Sequence, residues 1–233
     1  MNLRYINLEK LQYLKFNVSS LISQHIMETK EQPKRPPVML YTEQTPNPET
    51  LKFVTNQMLY AKNTADFKED QVELAKEWSP LATALFAFDY VKGIYICNNF
   101  VTITKEHNFD WSDIMLDLKN FIKTYIQEGG EIMKPGFEEV KAEIAAKDVE
   151  VYEGENAEIV QKIIQIIETY VKPAVEMDGG NIEFKSFDKG VVSLIMQGSC
   201  SGCPSSTVTL KTGIEGMMKR MVPEVTEVVA IMG

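Results

Sequence analysis

Pro135-Gly136 interrupts the chain, and from Glu138 to Glu155 acids, lysines and alanines predominate while large apolar side chains are few. Such a segment has little to bury and builds no core of its own. Whatever folds on either side must therefore do so within a short length of chain. The 233 residues allow one large domain or two small ones, and the interruption selects the second. It predicts modules at 38–130 and 156–233, joined by a linker at 131–155 with a helical turn at Phe137–Ala145.

Residues 1–37 stand apart by charge. They carry six basic and three acidic side chains, net +3, against −8 for residues 38–150 and −4 for 151–233. EQPKRPP, residues 31–37, reads as an extended connection. Three readings of this leader stay open. It is a targeting sequence, since Arg4, Lys10 and Lys15 face only Glu9 before Glu28. It is a flexible tail. Or it is an over-called start with Met27 as the true initiator, the favoured reading, because compact sequence begins only at Val38.

Composition closes several functional classes. A 44% hydrophobic content is that of a globular protein. No run reaches the ~18 apolar residues of a membrane span, and the isoleucine-rich stretch at Ile163–Ile167 is broken too soon. A net charge of −9 opposes binding along a nucleic-acid backbone, which needs a basic face. Three cysteines make no disulfide framework and suit a reducing compartment.

In the first module Val38–Tyr41 is a strand candidate, followed by the proline-punctuated TPNPETLKF at 45–53. Ser79-Pro80 is a cap and first-turn pair for a helix carrying Leu81, Ala84, Leu85 and Phe88. Val91–Cys97 and Phe100–Thr104 flank Asn98-Asn99, a dipeptide that tolerates positive φ, and read as a hairpin. Trp111, Ile114, Met115, Leu118, Phe121, Ile122, Tyr125 and Ile126 trace one helical face ending at Gly129-Gly130.

The second module opens on Asn156 as a predicted N-cap, with Ile159, Ile163, Ile166 and Tyr170 on the buried face and Lys172-Pro173 ending or bending the helix. EMDGGNI at 176–182 reads as a loop. Strands follow at Ile182–Phe187 and Val191–Gln197, turned at Asp188 to Gly190. Then come GSCSGCPSS at 198–206, a helix with Leu210, Ile214, Met217 and Met221, and a strand at Val225–Ile231. The fold class is α+β in two small domains. The second runs α-β-β-α-β with its Cys-x-x-Cys loop between a strand and a helix.

Cys200 and Cys203 are the candidate functional residues. Their spacing lets two sulfurs converge, and glycine, serine and proline neighbours predict an exposed loop. A following helix capped by Ser205 or Ser206 aims its N-terminal dipole at them and favours thiolates. Such a pair binds metal, holds an iron–sulfur cluster or cycles through a disulfide. Cys97, in an apolar strand, reads as inert packing, and His25 and His107 as ordinary histidines. Zinc and iron–sulfur sites alike ask for four ligands. Two thiolates per chain therefore imply a second chain across a two-fold axis or exogenous thiols. The oxidoreductase reading suffers because the pair follows a hairpin near the C-terminus, whereas thioredoxin-type motifs follow a first strand.

The second module resembles the NifU C-terminal domain through VKPAVEMDGGNI, FKSFDKGVVSLIMQGSC, CSGCPSS, TLKTGIEGMM and VPEV. Asn181 stands where that family typically has an acid after the double glycine. The first module resembles the N-terminal domain of Nfu-type proteins through TPNPETLKF, SPLATALF and VKGIYICNNFVTITK. The resemblance implies an iron–sulfur scaffold or carrier and not an enzyme. Cys200 and Cys203 of two subunits would bridge a [4Fe–4S] cluster in a homodimer, taken from upstream assembly proteins and passed to apo iron–sulfur enzymes. The first domain would recognise targets. No nucleic acid and no membrane are implied. A bacterial-type cytoplasmic location is expected, with an organellar matrix as the alternative. The competing functions are a thiol–disulfide oxidoreductase and a zinc-stabilised interaction module.

Overall fold

The computed structural model describes residues 36–147, 152–201 and 204–232. The readings of the leader fall outside these residues, apart from its last two prolines. Within Val38–Gly233, a single compact unit, two sheets each carry their own core.

The first sheet contains β1 (Leu40–Gln44), β2 (Thr50–Thr55), β3 (Tyr60–Lys68), β4 (Val91–Asn98) and β5 (Phe100–Lys105) in the order β1-β2-β5-β4-β3. Every pairing is antiparallel. The expected hairpin is β4–β5, with Cys97 opposite Phe100 and Asn98 at φ 44°. β3 escaped the sequence reading because its register shifts between Tyr60 and Thr64, and the bulge hides its alternation.

Among the described residues the α-helices accompanying this sheet are α1 (Val72–Trp78), α2 (Pro80–Leu85), α3 (Trp111–Gln127) and α4 (Phe137–Lys147). Leu81, Leu85, Leu118 and Ile122 join Phe53, Phe67, Ile94, Ile96 and Ile103 in one buried cluster. Each such side chain contributes about 1.5–3 kcal/mol by leaving water. α3 ends as its glycines require. Gly130 N–H bonds the Tyr125 carbonyl and Gly129 N–H that of Ile126, with Gly129 at φ 79°, a Schellman closure. The segment read as a linker contains α4, whose Phe137 is buried against Phe67 and Trp78.

Ser79 caps α2 as expected. Its Oγ accepts from Ala82 N–H at 3.1 Å and donates to the Ile132 carbonyl at 2.7 Å, inside the core. Ser79→Ala therefore loses a cap and leaves the Ile132 carbonyl without this donor. We expect a loss of about 2 kcal/mol in urea unfolding of the full chain.

The second sheet follows α5 (Glu155–Ile166), an i→i−5 turn at Ile167–Val171, and α6 (Lys172–Met177). β6 (Gly180–Asp188) pairs antiparallel with β7 (Val191–Gly198), and β8 (Glu227–Met232) pairs parallel with β7. A parallel neighbour requires a crossover, supplied by α7 (Pro204–Met221). The α+β class and the α-β-β-α-β order are as read from the sequence.

Details of phase differ. α5 begins at Glu155 behind Gly154, not at an Asn156 cap. The i→i−5 turn inserts one residue ahead of Pro173, so Val171 takes the buried place and Tyr170 is 58% exposed. On α7, Ile214 and Met218 are buried and Met221 is exposed. The β6–β7 turn matches expectation, with Lys189 at φ 46° and Gly190 at φ 85°, both positive as a type I′ turn needs.

Candidate functional site

β7 ends at Gly198 and leads directly into the cysteine loop. Cys200 is only 6% exposed and belongs to the second core. The exposed loop expected from its neighbours is thus corrected at this residue. The loop folds back on itself: Ser201 N–H and its Oγ both bond the Gly198 carbonyl, at 3.1 and 2.9 Å. Ser199 ties it to the preceding turn, its N–H on the Gly179 carbonyl at 3.2 Å and its Oγ on the Asp178 carbonyl at 2.6 Å. Cys203 and Gly202 lie outside the described residues.

The double glycine is explained by this contact. A Cβ on Gly180 would stand 2.8 Å from the Cys200 Sγ and 2.7 Å from the Gln197 carbonyl. Only a residue without a side chain lets β6 pass so close to the thiol. Next to it Asn181 is buried, its amide donating to Glu183 Oε1 and Gln197 Oε1, each at 2.9 Å. An acid here would set its oxygens against those of Glu183 and Gln197, which accounts for the departure noted in the sequence.

Burial pushes the Cys200 thiol up to about 11; the Ser199 hydroxyl opposes this and Asp178 adds to it. Desolvation is the largest influence on this thiol and favours its protonated form. Cys97 is 2% exposed among Val54, Tyr95 and Phe100, its thiol likewise raised by burial. His107 is exposed beside Glu49, and His25 is outside the described residues. Among those residues no group of three or more His, Cys, Asp or Glu side chains is gathered for a metal ion.

The sequence reading missed the surface against which the loop rests. Glu43, Lys52, Thr102, Tyr95 and Asp66 are directly paired across all five strands of the first sheet, so they form one row on one face. Lys52 Nζ donates to the Met177 carbonyl at 2.9 Å, and Thr102 Oγ1 to that of Gly179 at 2.8 Å. Asp66 accepts from Gly198 N–H, and Tyr95 packs against the same glycine. At the end of the row Asn47 Nδ2 donates to the Ser201 carbonyl at 3.2 Å. The available signal was polar side chains at alternate positions of otherwise apolar strands.

Asp66 is half-buried with its Oδ2 shut off from solvent, and desolvation pushes its carboxyl up to about 6, partly offset by Lys68 and the Gly198 N–H. A carboxyl raised above its unfolded value of 3.8 binds more protons folded than unfolded. The contribution of this group to stability is therefore fullest below about pH 4 and falls by roughly 3 kcal/mol as pH rises through 6. Asp66→Asn lacks this loss. Its stability margin over the unmodified chain should widen from pH 4 to 6 and then stay level, as urea midpoints at several pH values would record.

Residues 40–129 match the family model "Scaffold protein Nfu/NifU N terminal", and residues 163–229 match "NifU-like domain". "NifU-like protein 5, mitochondrial" of Arabidopsis thaliana is 38% identical over 194 residues, covering 82% of this chain and 67% of that protein. The chain belongs to the NifU-like (Nfu) family. Within that family, "NFU1 iron-sulfur cluster scaffold homolog, mitochondrial" of Drosophila grimshawi is 38% identical over 190 residues, covering 81% of this chain and 60% of its own length. "NifU-like protein 4, mitochondrial" of Arabidopsis thaliana is 37% identical over 194 residues, covering 82% of this chain and 65% of the relative. The chain thus spans roughly three fifths to two thirds of these relatives. All three carry mitochondrial names, which overturns the expected bacterial-type cytoplasmic location.

Proposed function

We propose that this chain is an iron–sulfur cluster scaffold or carrier. Cys200 and Cys203 hold a cluster jointly with the same residues of a second copy, and the cluster is handed on to apo-proteins. The observation that carries the reading is the ligand shortage: the chain offers one close pair of cysteines, and its remaining thiol, Cys97, is buried in the first sheet. Four thiolates for a [4Fe–4S] cluster then require two chains related by a two-fold axis. The scaffold names of Nfu relatives support the role, and the family resemblance favours [4Fe–4S].

A cluster shared between two subunits keeps only two of its four thiolates when the pair separates, so an acceptor's thiolates can displace it. That is the behaviour of a carrier, not of a turnover enzyme. Thiolates are the ligating form, so loading releases the Cys200 proton. Residues 38–130 serve recipient recognition, and residues 156–233 hold the cluster. An organellar matrix is the location, with residues 1–37 read as its targeting segment.

Anaerobic reconstitution with iron and sulfide tests the proposal. We expect a broad absorption near ~400 nm and about four irons per dimer. A protein that stays colourless, monomeric and iron-free refutes it. One that binds only zinc, or cycles Cys200–Cys203 as a disulfide without taking iron, belongs to the competing classes.

A further inference from the structure

β1 is an edge of the first sheet and, among the described residues, pairs with β2 alone. Its register fixes which backbone groups are spent. Asn56 N–H bonds the carbonyl of Met39, the residue opposite it when the β1–β2 register is continued. Hydrogen-bonded pairs alternate along an antiparallel ladder, so Tyr41 and Glu43 also turn their backbone groups toward β2. Leu40, Thr42 and Gln44 therefore turn theirs away from the sheet, open to a further strand. The other edge is guarded. β3 is bulged, and Lys141 of α4 reaches Thr64, its Nζ 2.8 Å from Oγ1 and 3.4 Å from the carbonyl. Bulges and covering helices are how sheets close their edges, and β1 pairs without a bulge.

A groove follows the open edge. Thr42 Oγ1 donates to Met115 Sδ at 3.8 Å, and Gln127 Oε1 accepts from Val38 N–H at 2.8 Å. Met115, Lys119, Lys123 and Gln127 form one i, i+4 row on α3, so both lysines lie beside β1 between those two contacts. Neither lysine forms an ion pair with a described residue. Past Thr42 the groove deepens into a cavity of about 440 Å³ lined by Gln44, Pro46, Trp111 and Met115. On the opposite face of the edge, Met39 and Tyr41 are exposed.

We infer that β1 takes up an extended segment of another protein as a further antiparallel strand, one whose side chains alternate between acidic and apolar. Strand addition supplies main-chain hydrogen bonds, and alternate side chains read the two flanks. Toward α3, Lys119 and Lys123 suit carboxylates, and the cavity beside Trp111 suits an apolar residue at the segment's leading end. Toward the other face, Met39 and Tyr41 suit apolar cross-strand neighbours. The inference rests on the reading of residues 38–130 as the part that recognises recipients, and it names the chemistry recognised.

The probe is the blocked peptide acetyl-Leu-Val-Glu-Val-Glu-Val-amide, titrated by NMR into the cluster-free full chain, with lysine in place of both glutamates as its control. A chain of net charge −9 attracts the lysine peptide at long range, so a preference for the glutamate peptide reports the local lysines. We expect saturable amide shifts at Leu40, Thr42 and Gln44. Binding should weaken about tenfold when the lysine peptide is used, or when the glutamate peptide meets Lys119→Glu/Lys123→Glu. Thr42→Pro, which removes an N–H that β2 does not use, should abolish the shifts; if it fails to fold, the lysine variant decides. Shifts confined to other residues, equal binding of the two peptides, or binding untouched by the lysine variant overturn the inference. No iron is present, so a failed reconstitution leaves this result standing, and failed peptide binding leaves cluster loading unaffected.

Discussion

Cys200→Ser and Cys203→Ser should each abolish stable cluster binding, taking iron from about four per reconstituted dimer to near zero. Cys97→Ser should retain it. A serine hydroxyl is a hard donor that keeps its proton at neutral pH, where iron–sulfur iron needs soft thiolate. In a symmetric dimer one substitution removes two ligands of four, so the loss is nearly complete. Cys97→Ser places a hydroxyl among Val54, Tyr95 and Phe100, costing about 1–2 kcal/mol of stability without touching the loop. Iron, sulfide and visible absorption, measured at a temperature where all three variants are folded, separate the outcomes. Loss of the cluster from Cys97→Ser under those conditions would show the ligand assignment to be wrong.

Local chemistry was legible in the sequence where it acts over a few residues. Ser79-Pro80 announced α2, Asn98-Asn99 the β4–β5 hairpin, and Gly129-Gly130 the end of α3, because caps and turns depend on nearby backbone. Phase was lost where one inserted residue broke a period, at the β3 bulge and at the Ile167–Val171 turn. The site divided along the same line. The spacing of Cys200 and Cys203 could be read directly, as could the glycines beside them. The burial of Cys200 could not be read, since it depends on β6 passing at Gly180. Nor could the row from Glu43 to Asp66, whose five residues come from five strands and meet only after pairing.

Gly198→Ala should be among the most destabilising single substitutions near the site, costing about 3 kcal/mol or more. Gly198 sits at φ +61°, and a Cβ there would stand 2.7 Å from the Gly179 carbonyl, 2.9 Å from Tyr95 Cγ and 3.0 Å from Gly180 Cα. Two of these neighbours are backbone, held in the Gly180–Gly198 pairing, so they cannot swing aside as a flexible side chain would. The left-handed conformation alone accounts for about 1–2 kcal/mol of the loss, and the overlaps supply the rest. Gly213→Ala is the control of opposite sign. It lies within α7 with nothing inside 4 Å of the added methyl, and should stabilise by about 0.5–1 kcal/mol. Urea unfolding of the empty full chain measures both. Unchanged stability in Gly198→Ala would mean that Gly198 does not rest on Tyr95 at all.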